Sequence, residues 1–513
     1  MAAVIVGITG VSPQDVVDVA RHGVAARIAD EALAEMNRSR AAVEALAGDD
    51  QPHYGISTGF GALATTHIPV ERRTQLQRSL IRSHAAGSGP EVEREVIRAM
   101  MLLRLSTLAT GRTGIRVSTA AAYAGLLNAG ITPVVHEYGS LGCSGDLAPL
   151  AHCALTLIGE GQARDVSGTL MPSAQALQAA GLSPVLLAEK EGLALINGTD
   201  GMLGQLVLAL HDLDNLVATA DIAAAMSVEG QLGTDDVFAA DLHGLRPHPG
   251  QQVSAANLRV LMAGSVIRES HRTSACTRVQ DAYSLRCSPQ VHGAVRDTMT
   301  HARVVAEREL ASAIDNPMVT ADLRVESNGN FHGAPVAYAL DFLAIAVADL
   351  ASISERRTDR FLDPARSNGL PPFLADDPGV DSGHMIAQYT QAGIVAELKR
   401  LAAPASVDSI PSSAMQEDHV SMGWHAARKL RCAIDGVTRV LAIELLTAAR
   451  ALELRAPHTP AVGSAAVIHS LRAAGVPGPG PDRFLAPEIA TAVELVRSSD
   501  IRNAVERAIG RLG

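Results

Sequence analysis

Lysine is almost missing from this sequence: of its 43 basic residues only Lys190, Lys399 and Lys429 are lysines. That scarcity narrows the chemistry, because pyridoxal phosphate needs a Schiff-base lysine. Each lysine here lies among charges (Glu189-Lys190-Glu191, Lys399-Arg400, Arg428-Lys429-Leu430-Arg431), the pattern of a solvated helix face. No lysine follows a glycine, so the phosphate-cradling Gly-x-x-x-x-Gly-Lys-Ser/Thr loop is absent. Five cysteines (Cys143, Cys153, Cys276, Cys287, Cys432) are too few, and odd in number, for a disulfide framework. They predict a reducing compartment, the cytoplasm. Met1 to Asp15 lacks the basic segment of a secretory signal, and the apolar stretches are interrupted by polar residues, so no membrane span is expected. A net charge of −11 argues against a nucleic-acid footprint, which needs a clustered basic surface. Eighteen histidines occur without a His-Glu-x-x-His or a paired Cys-x-x-Cys, so no metal is expected. His136, His152, His332 and His419 read as structural histidines.

What is present is apolar and helical. The 513 residues are 47% hydrophobic and 19% charged, enough to bury a large core, with room for roughly two to four domains. Leu203, Leu206, Val207, Leu210, Leu213 and Val217 recur at three- and four-residue steps, followed by Ile222 and Met226. Val336, Leu340, Leu343, Val347 and Leu350 repeat the pattern, as do Leu430, Ile434, Val437, Leu441 and Leu445. Each stripe marks one face of a long helix, and such faces must bury one another. The expected fold is mainly α, a long-helix bundle with a smaller N-terminal domain. A boundary near Gly111 to Gly114 divides it into residues 1–110 and 111–513. Asp363 to Gly383, with four prolines, reads as an ordered loop or lid, and Pro477 to Pro481 as a turn before a last helical segment.

Two loops carry candidate chemistry. Gly59 to Ala64 fits a loose dinucleotide-binding pattern, but Tyr54 to Thr58 before it makes a poor buried strand, which argues against a Rossmann site. Gly139-Ser140-Leu141-Gly142-Cys143-Ser144-Gly145-Asp146 opens an apolar helix and has two readings. One is an ordinary helix start capped by Ser144 or Asp146. The other is a backbone that reacts with itself. The unhindered Gly145 amide attacks the carbonyl of residue 143, loss of water closes an imidazolone, and dehydration of Ser144 leaves a methylidene carbon. The following helix N-terminus would favour negative charge on that ring.

Gly139 to His152 resembles the cofactor loop of the aromatic amino acid ammonia-lyases, which build a methylidene-imidazolone (MIO) group from Ala-Ser-Gly; here the triplet is Cys143-Ser144-Gly145. Six more segments follow the family pattern in order. They are Tyr54 to Gly61 (Ser57 where Asn is common), Glu191 to Thr199 (followed by Asp200 where Gln is usual), and Gln280 to Cys287 (Ala282 for Pro). The others are Asp315 to Pro317, Gly329 to Gly333, and Ser413 to His419 (Met415 for Asn).

The resemblance implies an ammonia-lyase fold and a homotetramer whose active sites draw on more than one subunit. It implies a catalytic set of Tyr54, Cys143, Ser144, Gly145, Tyr283 and Glu417. The implied substrate contacts are His84, Asn197, Gln280, Arg286, Phe331 and Gln416, with Asn197 also supporting the ring. The Ser144 methylidene captures the substrate amine and Tyr54 removes the β-proton, its pKa brought well below about 10 by nearby positive charge and N–H donors. Arg286 grips the carboxylate as a planar fork. Ser83-His84 and Gln416-Glu417 are similar to members acting on histidine, which implies L-histidine as substrate and trans-urocanate as product. A site with His84 and Glu417 satisfies polar ring nitrogens and rejects a phenyl ring. Other readings stay open at this point: a phenylalanine or tyrosine ammonia-lyase or aminomutase, an inactive helical scaffold, or a metal-dependent hydrolase.

Overall fold

A computed structural model of the chain describes residues 2–48, 51–274, 276 and 279–513. Helix dominates them, with twenty α-helices against nine strands of two to four residues. The helices that matter for the site are α1 (Arg73–His84), α2 (Arg94–Ala109), α3 (Leu147–Leu157) and α4 (Glu191–Ile196), then α5 (Asp200–Gly230), α6 (Tyr283–Arg286), α7 (Ser288–Leu310), α8 (Ala334–Leu362) and α9 (Gly423–Glu453). The three apolar stripes expected from the sequence fall on α5, α8 and α9, and every residue of each stripe is buried. Each such Leu or Val contributes about 1.5–3 kcal/mol of transfer free energy, so packing sustains these helices beyond their propensity.

The chain forms two compact units, each discontinuous in sequence. One gathers Met1–Leu208, Arg303–Asp341 and Pro404–Arg428, the other Ala209–Ala302, Phe342–Ala403 and Lys429–Gly513. Residue 110 marks the edge of neither. In the first unit α2 is apolar nearly all round, and it is buried continuously from Val96 to Ala109. Of its two internal arginines, Arg98 donates to the carbonyls of Val19 and Leu127, both at 3.0 Å, while Arg104 reaches backbone carbonyls and the Asp200 carboxylate. The strands of this unit are short pairings, the parallel one being Val4–Val6 with Ala26–Ile28.

In the second unit the buried polar groups cluster. Glu444 takes two bonds from Arg357 (2.5 and 2.9 Å) and one each from Ser227 and Ser354. Asp221 takes His292 and Arg296, both at 2.7 Å. The proline-bearing stretch from Asp363 to Gly383 holds one 3-10 turn, Pro372–Leu374, and its end is tied down by Asp482, which accepts the N–H groups of Ser382 (2.6 Å) and Gly383 (2.9 Å).

One expectation needs correction. Lys190 is not on a solvated face: it is fully buried, with its ammonium 2.5 Å from Asp315. Of the other two lysines, Lys399 is exposed, while Lys429 is half-buried and donates to the Ala403 carbonyl. Flanking charge did not mean solvent, because Glu191 beside Lys190 is buried too, held by Arg116 at 2.7 Å. Among the described residues α8 alone has the length and composition of a membrane span, but 67% of its apolar window is buried inside the fold, as in a core helix, and Asp341 and Asp349 interrupt it.

Candidate active site

The loop from Gly139 to Asp146 reaches α3 through an unusual turn. Gly142, Ser144 and Gly145 all have left-handed backbones (φ 87°, 51° and 82°), and a bridge between Gly142 and Gly145 closes the turn. For Ser144 that conformation stores strain of order 1–3 kcal/mol, the kind found at functional sites. Gly145 pairs with Gly198, and a Cβ at position 145 would lie 2.1 Å from the Gly198 carbonyl oxygen, so only glycine fits. Asp146 occupies the N-cap position of α3 but makes no side-chain cap bond. Nor does Ser144. The helix-cap reading of this loop therefore fails on both residues. Asp146 Oδ2 accepts the Met202 N–H at 2.8 Å and Oδ1 accepts the Ser140 hydroxyl at 3.1 Å. Burial pushes the Asp146 carboxyl up to about 7.

Ser144 opens onto a cavity of about 460 Å³, also lined by Tyr54, Phe60, Ser83, His84, Leu147, Leu193, Asn197, Asn316, Ser413 and Glu417. All of these residues lie in the first unit. Tyr54 comes from a turn-rich segment, its ring edge-on to Phe60 (6.4 Å between centroids) and its hydroxyl oxygen accepting the Gly61 N–H at 3.2 Å. Burial raises its pKa. The Gly61 donor works against that, while the carboxylates of Glu417 and Asp315 add to it. The backbone donor expected from the sequence is present, but the expected positive charge is not among these causes, and the direction is upward rather than down.

His84 closes the C-terminal end of α1. Its Nδ1 lies 2.9 Å from the Leu80 carbonyl oxygen, which only accepts, so the proton is on Nδ1. Burial lowers its pKa, and the neutral ring leaves Nε2 as an acceptor. Glu417 stands on a loop with three consecutive left-handed residues, Ser413, Ala414 and Met415 (φ 50°, 52° and 72°). Ser412 Oγ donates to its carboxylate at 3.0 Å, and Ser413 Oγ accepts the Ala62 N–H at 3.3 Å, joining this loop to the Tyr54 segment. The neighbouring Cys143 thiol is pushed up to about 11 by burial and by the Glu417 carboxylate, so it stays neutral.

Asn197 caps α4. Its Nδ2 donates to the Asn316 carbonyl at 2.9 Å, and its Oδ1 is buried with no partner among the described residues. An orphaned buried acceptor costs about 1–3 kcal/mol and asks for a donor from outside the chain as described. These features fit the ring that the sequence implies: a pre-bent turn at Ser144, a position 145 closed to any side chain, and Asn197 on the same cavity. Among the described residues no three His, Cys, Asp or Glu side chains gather as a metal site.

The structure does not bring every expected residue to this cavity. Gln280, Tyr283 and Arg286 belong to the second unit and are not part of its lining. Tyr283 is 72% exposed, with the Arg286 guanidinium 4.6 Å over its ring. Phe331 is half-buried and Gln416 is exposed; neither lines the cavity. Conversely, Asn316, Ser413, Leu147 and Leu193 line it without having been assigned a role. All four lie inside segments already noticed as motifs, and the contacts of Asn316 and Ser413 run to residues far away in the chain.

The family model described as aromatic amino acid lyase matches residues 11–473. A histidine ammonia-lyase from Streptomyces avermitilis is 64% identical over 512 residues, covering 100% of both chains. Among solved structures, a tyrosine aminomutase from Streptomyces globisporus superposes with a TM-score of 0.94 at 36% identity, covering 100% of both chains. A histidine ammonia-lyase from Trypanosoma cruzi superposes at 0.90 with 38% identity, covering 99% of this chain and 96% of that one.

Proposed function

This chain belongs to the aromatic amino acid lyase family, and on that premise we propose that it removes ammonia from L-histidine, leaving trans-urocanate. It is a carbon–nitrogen lyase: the Cα–N bond breaks, a proton leaves Cβ, and a double bond forms between those carbons. The observation that carries this reading is the meeting of Ser144, Tyr54, His84 and Glu417 on one cavity.

The Cys143-Ser144-Gly145 turn and Asn197 are the residues that would hold the MIO group, which when formed supplies an electrophilic carbon for the substrate amine. Tyr54, edge-on to Phe60, stands at the cavity to take the β-proton at its phenolic oxygen, and the Gly61 N–H steadies the phenolate. Since burial and two carboxylates oppose that phenolate, a cation has to come from elsewhere. Arg286 is the candidate. It pairs with no acid among the described residues, its Nε is buried without a partner, and Tyr283 beside it is exposed. In a homotetramer a second copy would bring this pair to the cavity, where Arg286 grips the substrate carboxylate and adds positive charge. A cytoplasmic location belongs to the same reading.

Substrate choice follows from hydrogen-bond types. His84 Nε2 and the Glu417 carboxylate are both acceptors at the cavity wall. They suit a ring carrying N–H donors, and a phenyl ring would offer neither acceptor a partner, leaving His84 Nε2 unpaired and Glu417 with Ser412 alone. Steady-state ammonia release from L-His, L-Phe and L-Tyr tests this. L-histidine is expected to have the highest kcat/KM by orders of magnitude, and faster release from L-Phe would overturn the assignment.

A further inference from the structure

Two buried cations stand behind Asn197, and neither lines the cavity. Lys190, at the left-handed position before α4 (φ 68°), places its ammonium 2.5 Å from Asp315 Oδ2. Asp315 Oδ1 accepts the Asn316 N–H at 2.7 Å, and the Asn316 carbonyl accepts Asn197 Nδ2 at 2.9 Å. Lys190, Asp315, Asn316 and Asn197 thus form one unbroken chain ending at the cavity. On the other side Arg104 donates to the Asn197 carbonyl at 2.9 Å and the Ala194 carbonyl at 3.0 Å. It also reaches Asp200 at 2.5 Å.

A fully buried ion pair is weak support for stability, because well-packed apolar side chains of similar volume serve as well. What such a pair does supply is one fixed arrangement. Burial opposes the Lys190 charge and Asp315 sustains it, so each ion is tenable only with the other in place. With Asp315 Oδ2 committed to Lys190, Oδ1 is left for the Asn316 N–H, which sets where the Asn316 carbonyl points.

We propose that Lys190 is a positioning residue for Asn197: through Asp315 and Asn316 it commits the amide's Nδ2 and leaves Oδ1 free for a donor in the cavity. The inference rests on the cavity being an ammonia-lyase site. It departs from the bland role of a lysine as surface charge, and it gives the sole fully buried lysine of three a task in the reaction.

The decisive comparison is between two double variants, Lys190→Met/Asp315→Asn and Lys190→Met/Asp315→Ala. Both remove the buried charges, and they differ in whether position 315 still presents an oxygen to the Asn316 N–H. The first is expected to keep kcat within about tenfold of the parent. The second should lose of the order of a hundredfold in kcat with KM little changed, the scale for a group displaced by about 1 Å. The single variant Lys190→Met, which strands the Asp315 carboxylate, should turn over more slowly than the first double variant. Thermal midpoints and the loss of two waters by intact mass are recorded for all, so that misfolding and failed maturation are seen separately from slow turnover. Equal kcat in the two double variants overturns the proposal, as does parental kcat in a folded Lys190→Met protein. If Lys190→Met does not fold, the double variants decide alone. Rates are compared on whichever amino acid the parent deaminates, so a parent inactive on L-histidine sinks the substrate reading without deciding this one.

Discussion

Asp146 sits at the N-cap of α3 yet gives its carboxylate to another helix, accepting the Met202 N–H at 2.8 Å in the first turn of α5. Its own N–H donates to the Gly198 carbonyl at 2.7 Å. One residue therefore links the end of the reactive turn, the Gly198 strand-like contact and the positive end of a 31-residue helix. The loop does not rest on the helix it begins but on the one that follows Asn197.

The burial of that carboxyl has a pH signature. The folded Asp146 carboxyl is held at about 7 against an ordinary 3.8, so the folded chain binds this proton more tightly than the unfolded one. Its contribution is complete below 3.8 and is lost as pH rises through about 7. Asp146→Asn does not titrate and keeps an oxygen for Met202. The parent's thermal midpoint should fall relative to that variant between these two values and stay parallel above them. A constant difference across the window refutes the assignment.

Ser144→Ala removes the hydroxyl whose loss makes the methylidene, while its side chain demands no extra room. The variant should fold with an unchanged circular dichroism spectrum, fail to lose the second water by intact mass, and form no measurable urocanate. Full activity in this variant would end the case for a self-made electrophile.

Tyr54→Phe keeps the ring against Phe60 and deletes the base. Turnover should drop by about 10²–10⁴-fold, the usual span for a positioned acid or base, while the loss of two waters proceeds as in the parent. Because burial raises the Tyr54 pKa, the phenolate fraction grows toward alkaline pH. The parent's kcat/KM should climb on that side, and the residual rate of the variant should not follow it.

His84→Leu and Glu417→Gln address substrate choice. Replacing the His84 ring with an apolar side chain should cost L-histidine at least about tenfold in kcat/KM and improve L-Phe relative to it, as expected when a polar pocket loses its partner groups. Glu417→Gln changes an obligate acceptor into a mixed donor and acceptor, and should weaken L-histidine without favouring L-Phe. Parallel losses on both amino acids would mean that these side chains do not read the ring.

The helices were legible because their cause is local: apolar spacing along α5, α8 and α9 is written in adjacent turns, and packing obeyed it. The tight turn at Gly142 to Gly145 was legible for the same reason, since glycine at 145 is a statement about backbone space. What the sequence hid was tertiary. Flanking glutamates made Lys190 look solvated, and only the distant Asp315 explains its burial. Asp146 looked like a cap, but its partner is 56 residues away. Tyr54 was expected to sit under positive charge, yet the charges that act on it are the carboxylates of Glu417 and Asp315, brought to it from distant parts of the chain. The two compact units have no local signature for a related reason: each is stitched from three stretches of chain.

The close approach of Gly145 to the Gly198 oxygen settles which part of the triplet heredity can adjust. Position 145 must stay bare, and under the proposed ring closure position 144 must carry a hydroxyl to shed. Residue 143 is then the member of the triplet left free to vary, and in this chain it is a thiol beside Glu417. Any drift in the reagent's temperament between lineages has to enter through that single door.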